Sequence, residues 1–308
     1  MPVISIENLT KQYGKTTALS HIHFTVDESE IFGLVGPDGA GKTSLFNILT
    51  TLILPTEGKV SILEFDLIHD YKKIRKNIGY LPGVFSLYPD LTVQENLIFF
   101  ATMYGAGIKE NIRMIAPIWK QIVPFKNRQA GKLSGGMKQK LALCCALIHK
   151  PQILFLDEPT TGVDPVSRRE FWDLLREIKK YGVTVVVSTP YMDEATRCDR
   201  IALIMESKII TIDTPQNIIS RFQGKLFALK AHNNIFQLLE TLKEFPVQCN
   251  FYPYGEYLHI SFDNFKGEEI NELEHFLQKN NLSYSELKEI SPIIEDCFIQ
   301  LVKKQQNV

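Results

Sequence analysis

The sequence predicts an α/β domain with a helical insert, followed by a small α+β domain. Three observations carry this. Short apolar runs of buried-strand length alternate with helical patterns through about residue 215. Between about residues 84 and 150 the pattern turns mostly helical. After Phe222-Gln-Gly224 the order becomes strand, helix, strand, strand, helix, strand. The 308 residues suit two domains, at a typical ~100–200 residues each, here read as 1–222 and 223–308.

In the first domain, Ile31–Val35 is a buried-strand run ending at a glycine-rich turn, and Leu45, Ile48, Leu49 and Leu52 follow at helical spacing. Thr92 and Glu95 form a capping-box signal ahead of the apolar run Leu97–Phe100. Ile153–Leu156 and Val183–Val187 are two more buried strands. Between them Asp164 caps a helix, Pro165 suits its first turn, and Leu174, Leu175 and Ile178 line one face. In the second domain the strands are read as Leu226–Lys230, Val247–Phe251, Tyr257–Phe262 and Ser283–Ile290. The helices are Ile235–Phe245 and Glu268–Lys279, with a last one at about Ile293–Lys304. This order suits a ferredoxin-like domain. There is no internal repeat or low-complexity tract.

Composition excludes several classes. With 34 Lys+Arg against 35 Asp+Glu, bulk charge gives no argument for a nucleic-acid partner. No apolar run approaches the ~18 residues that span a bilayer, and the N-terminus does not read as a secretory signal. Five cysteines, Cys144, Cys145, Cys198, Cys249 and Cys297, contain no C-x-x-C spacing and read as reduced thiols of a cytosolic protein.

Two segments carry chemistry. Gly36, Pro37, Asp38, Gly39, Ala40, Gly41, Lys42 and Thr43, followed by Ser44, match G-x-x-x-x-G-K-[ST] between a strand and a helix. Glycines there let several N–H groups aim at one phosphate chain, and the helix N-terminus adds partial positive charge. Lys42 is expected to reach the β- and γ-phosphates and Thr43 to hold Mg²⁺. The run Ile153–Leu156 ends in Asp157 and Glu158. Beside a phosphate loop, Asp157 is the candidate metal ligand and Glu158 the candidate base for an attacking water.

Just upstream, Leu133, Ser134, Gly135, Gly136, Met137, Lys138 and Gln139 complete a set that resembles the ATP-binding subunit of ABC transporters, over roughly residues 3–215. The resemblance implies a P-loop NTPase core and ATP and Mg²⁺ as ligands. It also implies a head-to-tail pair of cassettes, homodimeric or heterodimeric. In that pair Ser134, Gly135 and Gly136 bind the γ-phosphate of ATP held by the other subunit. Independently, Ser134 opens a helix whose free N–H groups make an anion site. Tyr13 occupies the position of the adenine-stacking aromatic. Thr161–Asp164 resembles the loop that couples the two sites, a role compatible with Asp164 as N-cap.

Two departures stand out. Gly83 replaces the glutamine usual after Ile78-Gly-Tyr-Leu-Pro82, and Pro190 replaces the histidine usual after Ser188-Thr189. Proline offers no donor, and loss of one preorganised contact costs on the order of 10²–10³ in rate. Thr189 and Tyr191 flank the gap as substitutes. Two readings therefore stand: an ATPase driving an exporter, or a degenerate, weakly hydrolysing cassette that pairs with or regulates a competent one. The segments Thr189–Ala195 and Cys198–Ile201 and the tail Ser291–Leu301 are similar to the multidrug, polysaccharide and sodium exporter group, whose permease is a separate chain. The expected location is the cytoplasmic face of the membrane, through that permease. Val84–Tyr88 is either its docking loop or internal packing. A soluble cassette of translation or DNA repair is disfavoured, because the chain carries one cassette and no long coiled coil.

Overall fold

The computed structural model describes residues 1–231, 235–263 and 265–306. It divides into two units, Met1–Gln216 and Asn217–Val308. In the first, β1 (Pro2–Tyr13), β2 (Thr16–Asp27) and β3 (Ile31–Val35) precede α1 (Lys42–Leu49). Next come β4 (Glu57–Ile62), β5 (Phe65–Asp66), α2 (Tyr71–Asn77) and β6 (Ile78–Leu81). Three helices follow: α3 (Val93–Met103), α4 (Ile108–Ile122) and α5 (Gly135–Leu147). The unit continues with β7 (Ile153–Asp157), α6 (Pro165–Lys179), β8 (Thr184–Thr189), β9 (Arg200–Met205) and β10 (Lys208–Asp213). The division falls inside α7 (Pro215–Ser220).

The unit has two sheets. The smaller is antiparallel, in the order β2-β1-β4-β5; the larger runs β10-β9-β3-β8-β7-β6. In the larger sheet all pairs are parallel except β9–β10. Every residue of β3, β7 and β8 is buried, as expected of parallel strands covered on both faces. A core of Phe24, Phe32, Phe46 and Phe155 with surrounding Ile, Leu and Val joins α1 to both sheets. Helix α1 stops at Leu49, because Thr51 takes φ 62° and is held by Arg75 through its hydroxyl and carbonyl. Leu52, expected on the helix, therefore lies beyond it and is exposed. In the insert, Thr92 and Glu95 make the reciprocal capping box. The α5 helix is buried nearly all round, with Lys140 paired to Glu170 at 2.6 Å.

The second unit contains β11 (Lys225–Ala231), α8 (Ile235–Leu242), β12 (Asn250–Tyr254) and β13 (Tyr257–Phe262). It ends with α9 (Glu268–Lys279), β14 (Tyr284–Ile290) and α10 (Ile294–Gln306). Its antiparallel sheet has the order β12-β13-β11-β14, the ferredoxin-like arrangement. Helix α8 ends before Phe245 because residues 240–245 tighten into i→i+3 bonds. The strand expected at Val247–Phe251 starts later, at Asn250. It runs to a two-residue hairpin at Gly255 and Glu256, where Gly255 takes φ 57°. As an edge strand it tolerates Pro253, which has no N–H to donate.

One face of this sheet packs on α8 and α9 through Phe227, Leu229, Ile260 and Phe262. His259 and Tyr252 meet α10 instead. Asp296, fully buried, accepts from the Tyr252 hydroxyl and from the Ile293 N–H, and contacts His259 Nδ1, each at 2.7 Å. The acidic residue of the tail motif is therefore the polar anchor of α10. Removing it leaves buried donors unpaired, at a cost of about 3–5 kcal/mol. Asp296→Ala is expected to lower the unfolding free energy of the C-terminal unit by that amount, read from urea denaturation.

Candidate nucleotide site

Three parallel strands end together. Val35 of β3 pairs with Thr189 of β8, and Asp157 of β7 pairs with Ser188 of β8. The loop 36–41 leaves β3 at this edge and is shaped by close approach. A Cβ on Gly36 would stand 2.1 Å from the Ile204 carbonyl oxygen, and one on Gly41 2.2 Å from that of Ala18. Gly39 and Gly41 take φ 79° and 106°, in the left-handed region open to glycine. Asp38 and Gly39 are exposed, Pro37 is half-buried, and Ala40 is buried. Thr43 lies exposed and Ser44 half-buried on the first turn of α1.

Lys42 is 3% exposed, and its Nζ donates to the carbonyls of Gly36 (2.9 Å) and Pro37 (3.0 Å). The ammonium also lies 3.2 Å from Glu158 Oε1 and 3.6 Å from Asp38 Oδ1. A buried cation needs this company. Glu158 reaches it from a left-handed backbone, φ 48°, strain worth ~1–3 kcal/mol at functional positions. Its N–H is shared by the Ser188 carbonyl and hydroxyl, and Thr161 donates to Oε2 at 3.4 Å. Asp157, 3% exposed, accepts from the Ser188 hydroxyl at 2.5 Å. Burial, with the Asp157 charge adding to it, pushes the Tyr80 phenol up to about 12.

Lys42, Asp157 and Glu158 thus share one edge with the loop. A hydroxyl and one carboxylate suit Mg²⁺, which keeps waters and binds one or two carboxylates plus phosphates. Among the described residues no cluster of three or more His, Cys, Asp or Glu could hold a metal by itself.

Ser134 accepts from Met137 N–H as N-cap of α5. A Cβ on Gly136 would stand 2.7 Å from Ser167, and one on Gly135 3.5 Å from the Gly162 oxygen. The Ser134–Gly136 turn therefore packs on the 162–167 segment of its own chain. Among the described residues, no hydrogen bond or ion pair joins it to residues 36–44. Asp164 caps α6 through Ser167 N–H at 3.0 Å, and that bond holds its carboxyl below the usual range. Tyr13, half exposed at the β1–β2 hairpin, has Lys11 over its ring at 4.9 Å. Gly83 lies against the Asp157 backbone, where a Cβ would be 3.2 Å from its carbonyl oxygen. Beside Pro190, the Tyr191 N–H bonds Thr189 Oγ1 (3.1 Å), and Thr189 Oγ1 donates to Glu194 (2.6 Å). Sequence reading missed Ser188, Glu194 and the neighbouring Arg168. The small polar pair closing an apolar strand was the only available signal for the first.

Strand, glycine loop, buried lysine and acidic strand end define a P-loop nucleotide-binding protein. Residues 19–161 match the ABC transporter family model. The chain is 43% identical over 218 residues to the probable multidrug ABC transporter ATP-binding protein YbhF of Escherichia coli (strain K12). That alignment covers 70% of this chain and only 38% of YbhF. It is 35% identical to the linearmycin resistance ATP-binding protein LnrL of Bacillus subtilis (strain 168), covering 72% of each. With the Nod factor export ATP-binding protein I of Rhizobium sp. (strain N33), 29% identity extends over 99% of this chain and 98% of that one. Among solved structures, an ATP-binding subunit of an ABC transporter aligns with TM-score 0.65 and 26% identity, over 71% of this chain and 93% of that one. A bacterial ABC transporter cassette solved as a dimer gives TM-score 0.60 and 29% identity, over 68% and 98%. The chain belongs to the ATP-binding subunits of ABC transporters.

Gly36→Ala forces backbone movement, whereas a Cβ at Gly39 meets nothing within 4 Å and incurs only its φ strain. In a fluorescence titration Gly36→Ala is expected to bind ATP at least about tenfold more weakly than Gly39→Ala, a difference of ~1.4 kcal/mol.

Proposed function

We propose that this chain is the Mg²⁺-dependent ATPase subunit of an exporter, driven by closure of two cassettes around ATP. The observation that carries the reading is the cluster at the strand ends, where buried Lys42 lies 3.2 Å from Glu158, next to Asp157. Residues 36–44 bind the phosphates by backbone N–H groups and Lys42; Thr43 and Asp157 hold Mg²⁺, which supplies charge neutralisation. Glu158 takes the proton of the attacking water, with Thr161 orienting its carboxylate. On this reading Ser134 and Gly135, both exposed, meet nucleotide on a second cassette, identical or different. ATP drives closure because those contacts exist only in the closed state.

Export is supported by the names of the relatives, which concern multidrug transport, linearmycin resistance and Nod factor export. No described helix is long and apolar enough to cross a membrane, so the reading requires permease partners and a place on the cytoplasmic membrane face. An apolar surface suits them. Val84 is 77% exposed, Phe85 and Tyr88 are also exposed, and Tyr88 packs edge-on against exposed Phe99 at 4.7 Å. Buried Asn96 fixes that loop through four hydrogen bonds to the 88–92 backbone.

The degenerate reading is favoured by Gly83, by Pro190 and by the engagement of Thr189 and Tyr191 with their neighbours. ATP turnover separates the two. On the ATPase reading the unmodified protein hydrolyses Mg-ATP and Glu158→Gln is slower by on the order of 10²–10⁴-fold. A silent parent, with turnover restored in Gly83→Gln/Pro190→His, replaces it with the degenerate one. The glutamine fits there only if the Asp157 backbone yields a few tenths of an ångström.

A further inference from the structure

A cleft of about 410 Å³ lies between the first turns of α6 and the 3₁₀ segment Met192–Arg197, and its lining includes Arg168, Trp172, Asp193 and Glu194. Glu194 is 2% exposed. Its Oε2 accepts the Thr189 hydroxyl at 2.6 Å, while its Oε1 faces Arg168 Nε at 3.6 Å. Both of those facing atoms are buried, and neither makes a hydrogen bond. The guanidinium of Arg168 also stacks on Tyr191 at 4.1 Å, and its NH1 lies 4.0 Å from Asp193. Opposite charges thus stand face to face through buried atoms, with the Arg168 side chain 23% exposed, about 0.8 Å beyond the ~2.7–2.9 Å of a charge-assisted hydrogen bond. Two facing buried atoms left without a hydrogen bond gain from a small approach.

The pair sits in the middle of a continuous set of contacts. Lys42 Nζ bonds the Gly36 carbonyl, Gly36 N–H bonds the Thr189 carbonyl at 3.3 Å, and Thr189 bonds Glu194. On the far side, Arg168 N–H bonds the Asp164 carbonyl at 2.9 Å, in the helix that Asp164 caps. Beside the direct Lys42–Glu158–Thr161 contact, the phosphate loop and the Thr161–Asp164 loop are thus linked by a second route, which has one gap, between Glu194 and Arg168.

We infer that Glu194 and Arg168 are positioning residues, a clasp that closes when the phosphate loop binds ATP and thereby orders the Thr161–Asp164 loop. The inference rests on the proposed ATP site. Phosphates on the loop draw on Lys42 and Gly36, Thr189 moves with Gly36, and Glu194 is carried onto Arg168. The open and closed clasp are the two discrete arrangements that such coupling requires.

The test is segment-resolved hydrogen exchange on the full chain with Glu158→Gln as parent, with and without Mg-ATP, at dilution. In the parent, ATP is expected to slow exchange at 36–44 and, by at least about tenfold, at 161–168. With Arg168→Leu or Glu194→Gln added, protection at 36–44 remains and that at 161–168 falls below about twofold. Glu194→Gln retains an acceptor for Thr189, so it decides the matter if Arg168→Leu does not fold. Tyr191→Phe keeps the ring and should behave as the parent. No protection at 36–44 in the parent overturns the ATP-site reading itself. Protection at 36–44 but not 161–168 in the parent overturns the clasp alone. So does protection of both segments in the variants, or loss of both, which marks a merely structural role.

Discussion

The register of three parallel strands governs the site. Val35 beside Thr189 and Asp157 beside Ser188 bring three chain exits to one edge of the larger sheet. Strand side chains alternate faces, so a slip of one residue would turn Asp157 away from the phosphate loop. The register is held by burial, since each of the three strands is buried throughout. Ser188 then adds a polar lock, bonding Asp157 by its side chain and holding Glu158 N–H by its carbonyl.

Electrostatics at this edge are built around Lys42. Its charge is removed from water and shared between two carbonyls and Glu158. On the proposed reading, phosphates take over Lys42 from Glu158, and the carboxylate is released to a water. From a left-handed backbone, the Glu158 carboxylate faces Lys42 with one oxygen and Thr161 of the following turn with the other. The two departures have separate consequences. Gly83 puts no side chain against the Asp157 backbone, where a Cβ would be tight, whereas Pro190 removes a donor from a segment in which the Thr189 hydroxyl and the Tyr191 N–H bond to their neighbours.

The parallel strands, the capped helices and the ferredoxin-like order were legible because each rests on local patterns: apolar runs, Thr92–Glu95, Asp164–Pro165. The antiparallel sheet of the first unit was not. Strand β1 has register shifts between Ile6 and Leu9, and Asn8 takes φ 50°, which breaks the period-two alternation that marks a strand. The phosphate loop and acidic strand end were visible as short motifs. Arg168, Glu194 and Thr189 were not grouped, because their association depends on how α6 and the segment after β8 pack, which no sequence spacing encodes. The role of Asp296 was likewise hidden. The tail motif could be matched, but Tyr252 and His259 lie on two other strands.

The central claim is that one strand edge forms a Mg-nucleotide site through Lys42 and Asp157. Equilibrium ATP binding to the unmodified protein and to Asp157→Asn, each titrated with and without Mg²⁺, tests it most directly. The account predicts tight binding that Mg²⁺ strengthens in the unmodified protein, and binding indifferent to Mg²⁺ in Asp157→Asn. Equal Mg²⁺ dependence in both proteins, or no ATP binding by the unmodified one, would contradict it.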